Sequence, residues 1–321
     1  MKLVFIIDPI ENLDPTHDSS VALMEAAQMM GNQAWITQAK QLTVIEGKAW
    51  ATVTPITLEP VTLGSDRWVA VDQWFSLGEP TLLPLEEFDA VWLRTDPPVT
   101  TAYLYATYLL DYVDPAKTLV LNSMAGIRAA NEKMYALQFG AVIPETIVSQ
   151  DKAVIREFVE RRDKAVMKPL GGMGGEGILF LRSGDPNFNS MVDISTHKGT
   201  LPVMVQQFLP EEANGDKRVI LIDGEPVGAV NRIPTGSDFR GNMAVGGRVA
   251  QVDVTDRDRE IAQLLAPQLK KDGLYFVGID VIGGYLTEVN VTSPTGIREI
   301  DRLDGVSIGK QAIAWIESQR Q

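Results

Sequence analysis

Apolar residues along this chain follow two rhythms. Short unbroken runs, such as residues 3–7 of "KLVFIID", read as strands of a parallel sheet covered on both faces. Residues 33–37, "FDAVWLR" ending at Arg94 and "TLVLN" ending at Asn122 belong to the same type. Between them, residues 19–30 carry apolar side chains at helical spacing. Asp18 or Ser19 can cap that helix, and Gly31 suits the position just past its end. A second helix is predicted over 103–113, and "VIEGKAWATV" predicts a hairpin turning at Glu46-Gly47. Residues 1–122 thus predict an α/β domain on a mostly parallel sheet.

Beyond Asn122 the elements shorten and alternate. A helix is predicted over 126–138, broken before Pro144. A strand at 146–149, a helix over 152–161 and strands at 165–169 and 177–181 follow. Then come a strand at 202–209, a hairpin across Asp223-Gly224, and a glycine-rich loop over 234–247. A loop of that length in a compact domain is usually functional or disordered. A helix over 256–271, a hairpin over 275–291 and a helix over 308–318 complete the chain. The expected domains are 1–122, 123–200 and 201–321.

Composition narrows the chemistry. Lys and Arg number 29 against 42 Asp and Glu, a net charge of -13. A general nucleic-acid partner is disfavoured, because such binding needs a basic surface to release counterions. There are no cysteines and only two histidines, so thiolate and histidine-rich metal sites are excluded or improbable. Hard-cation sites made of Asp, Glu and Asn stay open. The opening apolar run is too short for a signal peptide, and no stretch approaches the roughly 18 apolar residues of a membrane span. A cytoplasmic protein without a membrane partner is expected.

Two stretches carry candidate chemistry. In "VMKPLGGMGGEGILFL", Lys168 precedes five glycines in seven residues, and a strand follows them. A Walker A loop places its lysine after the glycines and opens a helix, so it is a poor match. Strand, glycine loop, strand makes a hairpin whose tip can fold over phosphates through backbone N–H groups. The second stretch is "GIDVIGGYLTEVNVTSP". Burying Val277, Ile279 and Val281 together with Val289 and Val291 selects a register that pairs Asp280 with Glu288 and Val281 with Thr287, around a loop of Gly283, Gly284 and Tyr285. Asp280, Glu288 and Asn290 then converge, as suits Mg²⁺ held jointly by protein and phosphates.

Taken in order, "NEKMYA", "MKPLGGMGGEGI", "MVQQFLP", "DKRVILIDGEPV" and "IDVIGGYLTEVNVTSPTGIREI" resemble an ATP-grasp ligase. With "IDPIENLDPTHDSS", "LRTDPP" and "RIPTGSDFRGNMAVGGR", the chain resembles the prokaryotic glutathione synthetase family from end to end. The resemblance implies an α/β fold, α+β in part: a Rossmann-like N-terminal domain, a small central lid and a C-terminal mixed-sheet domain, with ATP between the last two. It implies that γ-glutamylcysteine and glycine are joined through an acyl phosphate, giving glutathione, ADP and phosphate. Mg²⁺ or Mn²⁺, a pair of ions per site, and a homotetramer or homodimer come with it.

Position by position, the resemblance puts Lys133 and Lys168 on ATP phosphates, with Gly172, Met173, Gly174 and Gly175 closing over them. Gln207, Phe208 and Leu209 are implied at the adenine, largely through backbone groups, and Asp216 at the ribose. Asp280, Glu288 and Asn290 are implied as metal ligands. Arg218 and Arg240 match basic positions near the phosphates or the acyl intermediate. Ser19, Arg94 and Arg232 are implied at the dipeptide, and Ser293, Pro294 and Thr295 at the glycine. Two readings compete: another ATP-grasp ligase, such as one joining D-alanines, and a non-catalytic nucleotide-binding protein on the same fold. A nicotinamide dehydrogenase is disfavoured, because "DPIENLDP" replaces a glycine fingerprint after the first strand.

Overall fold

A computed structural model describes residues 1–235 and 248–320. The N-terminal part comprises β1 (Lys2–Ile6), α1 (Ser19–Met29), β2 (Gln33–Thr37), β3 (Leu42–Ile45), β4 (Lys48–Leu58), β5 (Thr62–Leu63), β6 (Trp68–Val69), β7 (Phe75–Leu77), β8 (Thr81–Pro84), β9 (Ala90–Leu93), α2 (Thr101–Leu110) and β10 (Leu119–Leu121). The main sheet runs β10-β9-β1-β2-β4-β3, with β7 and β8 also on β4. Only β10, β9, β1 and β2 are mutually parallel. β4 joins antiparallel, as do its neighbours β3, β7 and β8. The sheet is therefore mixed rather than mostly parallel. No α-helix separates β2 from β4, only a 3₁₀ turn at Ala39–Gln41 and β3, and Glu46 and Gly47 join β3 to β4 in a tight turn at φ 50° and 75°, a connection that only antiparallel strands allow.

The central part comprises α3 (Met124–Ala129), β11 (Thr146–Ser149), α4 (Lys152–Arg162), β12 (Lys164–Pro169), β13 (Leu179–Arg182), α5 (Phe188–Ser195) and β14 (Val203–Gln207). Its antiparallel sheet runs β11-β14-β12-β13. Alternation sends Ala165 and Met167 into a core with Ile155, Phe158 and Phe188. Val166 and Lys168 face the other way, into a cleft. The helix expected over 126–138 is broken. α3 ends at Ala129, and a 3₁₀ turn resumes at Met134. The Asn131 carboxamide oxygen accepts from the N–H groups of Lys133 (3.2 Å) and Met134 (3.0 Å), in competition with helical bonding.

The C-terminal part comprises β15 (Asp216–Ile222), β16 (Glu225–Ile233), β17 (Arg248–Gln251), α6 (Asp256–Lys271), β18 (Phe276–Ile282), β19 (Tyr285–Asn290), α7 (Ile297–Asp304) and α8 (Ile308–Ser318). The antiparallel sheet runs β17-β16-β15-β18-β19. Ile261, Leu265 and Leu269 of α6 pack on one face, through Val219, Leu221 and Val277. Ile297, Ile300, Ile308 and Ile313 pack on the other, through Ile220 and Phe276. The β18–β19 register pairs Asp280 with Glu288, but the turn is Gly283-Gly284 alone, at φ 56° and 79°. Val281 therefore faces Leu286, and a bulge beside Asp280 absorbs Thr287. A two-glycine turn and buried valines are compatible only with that extra residue.

Asn122, 2% exposed, joins the N-terminal sheet to the C-terminal one. Its amide nitrogen donates to the carbonyls of Phe276 (2.8 Å) and Val291 (2.9 Å). Its oxygen accepts from the N–H groups of Tyr275 (2.9 Å) and Phe276 (3.0 Å). Among the described residues no helix is long and apolar enough to cross a membrane. Asn122→Ala should cost about 3–5 kcal/mol, because buried backbone groups lose their partners. Asn122→Asp should not rescue it, since a carboxylate has no N–H to donate. Chemical denaturation checks this, and an unshifted midpoint in either variant contradicts it.

Candidate functional site

The cleft lies between the exposed face of the central sheet and the polar face of the C-terminal sheet. On its floor Asp280 of β18 stands opposite Glu288 of β19, and Asn290 follows on the same face. Arg218 of β15 is the cross-strand partner of Asp280. Its Nε reaches Asp280 Oδ1 at 2.6 Å and its Nη2 reaches Oδ2 at 3.1 Å. Arg232 of β16 divides itself between Asp280 (3.0 Å) and Asp216 (2.6 Å). A Cβ on Gly278 would come within 2.9 Å of Pro294 and 3.1 Å of the Arg218 side chain, so the glycine makes room for that arginine. Burial disfavours charge on Asp280, but Arg218 and Arg232 outweigh it and hold the carboxyl well below the usual range. For Asp216 burial dominates despite Arg232, and its carboxyl is pushed up to about 6.

The opposite wall supplies the Lys168 amine, and the chain bonded to the edge of β19 supplies that of Lys133. Lys168 on β12 donates to Gln206 Oε1 at 2.8 Å, and Gln206 Nε2 donates to Thr146 Oγ1 at 3.2 Å. Burial lowers the Lys168 pKa, while Glu288 and Asp216 pull it back up. Lys133 Nζ sits 3.1 Å from Glu288 Oε1 and donates to the Gly172 carbonyl at 2.7 Å. It therefore ties the glycine segment to the floor. Gly172, Met173, Gly174 and Gly175 line the cleft, with Gly174 and Gly175 at φ 57° and 84°. Gln207 and Leu209 line it too. Phe208 packs edge-on against Phe180, centroids 5.0 Å apart. The N–H groups of Gln207 and Phe208 are already bonded, to the carbonyls of Glu145 and Lys164.

Ser293, Pro294 and Thr295 line the same cleft beside Asp96. Arg94 and Ser19 are not part of that lining. Arg94, 2% exposed, donates to Ser20 Oγ (3.1 Å) and to the Pro294 carbonyl (3.0 Å), so it braces the 293–295 segment from behind. Asp18, not Ser19, caps α1. The Ser19 hydroxyl instead accepts from the N–H of Ile297, the first residue of α7, at 3.3 Å. Arg240 lies outside the described residues, as does most of segment 234–247. Glu132, Gln206, Asp96 and Glu176 line the cleft without having been singled out from sequence. The adjacent glutamines in the apolar strand "VMVQQ" were a usable signal. Nothing in the spacing isolates Glu132.

Among the described residues no three acidic or histidine side chains form a metal cage. Asp280, Glu288 and Asn290 provide two carboxylates and a carboxamide on one hairpin face. That hard-oxygen set is short of the roughly six ligands Mg²⁺ takes, so it fits an ion shared with phosphates and water.

A model of the prokaryotic glutathione synthetase N-terminal domain matches residues 1–128, and one of that family's ATP-grasp domain matches residues 132–305. Glutathione synthetase of Thermosynechococcus vestitus is 65% identical over 318 residues, spanning 99% of this chain and 100% of that protein. The Nostoc sp. glutathione synthetase is 62% identical over 321 residues, 100% of this chain and 99% of its own. Among solved structures, the ATP-grasp ligase PsnB with a minimal precursor superposes at TM-score 0.63 and 19% identity, covering 99% of this chain and 98% of that one. D-cycloserine synthetase DcsG does so at 0.63 and 16%, over 100% of both chains. At such identities the likeness concerns the ATP-grasp fold.

Burial makes the Lys168 charge a strain on the fold, so Lys168→Met should leave the melting temperature unchanged or raised. If the Lys168 amine meets a phosphate, the same change should also remove most of the thermal shift produced by Mg·ATP. Differential scanning fluorimetry with and without Mg·ATP checks both. A lowered melting temperature with an undiminished ATP shift contradicts the assignment.

Proposed function

The chain belongs to the prokaryotic glutathione synthetase family, and on that premise we propose that it joins γ-glutamylcysteine to glycine, converting ATP to ADP and phosphate. It is an ATP-dependent ligase that forms a C–N bond on an ATP-grasp fold. The observation that carries the reading is the single cleft in which the Lys133 and Lys168 amines face Asp280 and Glu288.

A carboxylate is a poor electrophile because oxide is a poor leaving group. Phosphorylation of the cysteinyl carboxylate removes that obstacle: its oxygen bonds to the γ-phosphorus as ADP departs. The glycine amine then attacks the acyl carbon, phosphate leaves, and the amine gives up a proton. No nucleophilic side chain is needed, which suits a chain without cysteine. Lys133 and Lys168 align and neutralise the phosphates. Gln207, Phe208 and Leu209 border the adenine, and Asp216 the ribose. Arg218 stabilises charge on the transferring group, and Arg240 is assigned the same work by family position. Arg232 and, through Pro294, Arg94 fix the acyl side, while Ser293 and Thr295 receive glycine. Gly172 to Gly175 close over the ATP phosphates and help keep water from the reaction. Asp280, Glu288 and Asn290 would hold a divalent ion, which would neutralise phosphoryl oxygens further.

Family membership implies ATP and a divalent metal in general. The finer assignments belong to the same proposal: Mg²⁺ with Mn²⁺ as substitute, a pair of ions per site, a cytoplasmic location, and a homotetramer or homodimer. Exposed Tyr105 and Tyr108 of α2, with Tyr112 just beyond it, form a face that a second copy can cover.

ADP release should require γ-glutamylcysteine and glycine together, each alone giving background. D-alanine with D-alanine should also give background. No stimulation by the first pair, or equal stimulation by the second, contradicts the substrate assignment.

A further inference from the structure

Glu132 precedes the phosphate lysine and has a geometry of its own. β19 ends the C-terminal sheet, so its outer N–H groups need partners from elsewhere. The stretch around residue 132 provides them. The Glu132 carbonyl accepts from Val289 N–H at 3.0 Å. Its carboxylate oxygen Oε1 accepts three further bonds, from the N–H of Val291 (2.9 Å), the N–H of Thr292 (3.1 Å) and the hydroxyl of Thr292 (2.9 Å). Val142 adds one more through its carbonyl, to Leu286 N–H at 2.8 Å. One residue thus substitutes for a missing strand along the end of β19. It does so twice, once through backbone and once through side chain.

The two attachments hold different things. The backbone bond fixes the chain at Lys133, whose amine lies 3.1 Å from Glu288. The carboxylate holds Val291 and Thr292, the start of the segment whose Ser293, Pro294 and Thr295 line the cleft. Burial and nearby Glu288 both disfavour charge on this carboxyl, and the bonds from Val291 and Thr292 offset that only in part. A carboxyl kept in such a place does more than fill space.

We propose that Glu132 is a positioning residue for the amine-accepting side of the reaction, setting segment 292–295 against the metal-bearing strand while leaving the phosphate lysine to the backbone bond. This rests on the reading of 293–295 as the glycine side. Substituting the side chain cuts one attachment and spares the other, so the effects separate.

Glu132→Ala should raise the KM for glycine at least about tenfold, with the KM for ATP within about twofold. Glu132→Gln should return glycine KM to within about threefold of wild type, because its carbonyl oxygen accepts the same donors. An alanine variant equal to wild type, a glutamine variant no better than alanine, or glycine and ATP KM rising together overturns the proposal. Absence of wild-type ligation of γ-glutamylcysteine with glycine removes the substrate reading instead. Amide exchange then decides: at Val291 and Thr292 it should rise at least about tenfold in the alanine variant and not in the glutamine variant. Unchanged exchange in both overturns the proposal on its own.

Discussion

Charge compensation in a partly desolvated cleft governs this structure. Glu132, Asp216, Asp280 and Glu288 share the cleft with Lys133, Lys168, Arg218 and Arg232. An unpaired ion at such depth costs several kcal/mol, so each must be answered by an opposite charge or by hydrogen bonds. Asp280 is answered by two guanidiniums, Glu288 by one ammonium, and Glu132 by backbone and hydroxyl donors. Phosphates brought into this arrangement add negative charge where the lysines are already engaged. On the proposed reading, Lys133 exchanges Glu288 for phosphate, and the released carboxylate takes a cation in its place. That exchange would account for the divalent-metal requirement that family membership implies.

The scaffold serves the arrangement through strand alternation. Lys168 faces the cleft because Ala165 and Met167 are needed in the core of the central part. Asp280 and Glu288 meet because the valines around them are buried together, and the bulge preserves the pairing while the two-glycine turn closes the hairpin. Gly278 leaves the space that Arg218 occupies. Asn122 and Arg94 bind the N-terminal sheet to the ends of β18 and β19, so the wall of the cleft is braced from another part of the chain.

Local pattern carried much of this. The helix over 308–318, the turn at Glu46-Gly47 and the Asp280–Glu288 register were legible because periodicity and turn chemistry act over a few residues. Lysine before glycines, between strands, marked a segment that lines the cleft for the same reason. What stayed hidden depends on distant partners. Arg94 contacts Pro294 200 residues away, and Ser19 meets Ile297 278 residues away, so no local rule separates bracing from ligand contact. The break after Ala129 turns on one asparagine side chain outcompeting a helical backbone. The antiparallel half of the first sheet followed from a missing crossover helix, which the strand runs alone do not reveal.

A crystal structure with Mn²⁺ and a non-hydrolysable ATP analogue tests the central exchange most directly. The account predicts an anomalous Mn²⁺ peak among Asp280, Glu288 and Asn290, with the Lys133 ammonium moved off Glu288 and onto a phosphate oxygen. Lys133 still paired with Glu288, and phosphates bound on a face away from Lys168, would contradict it.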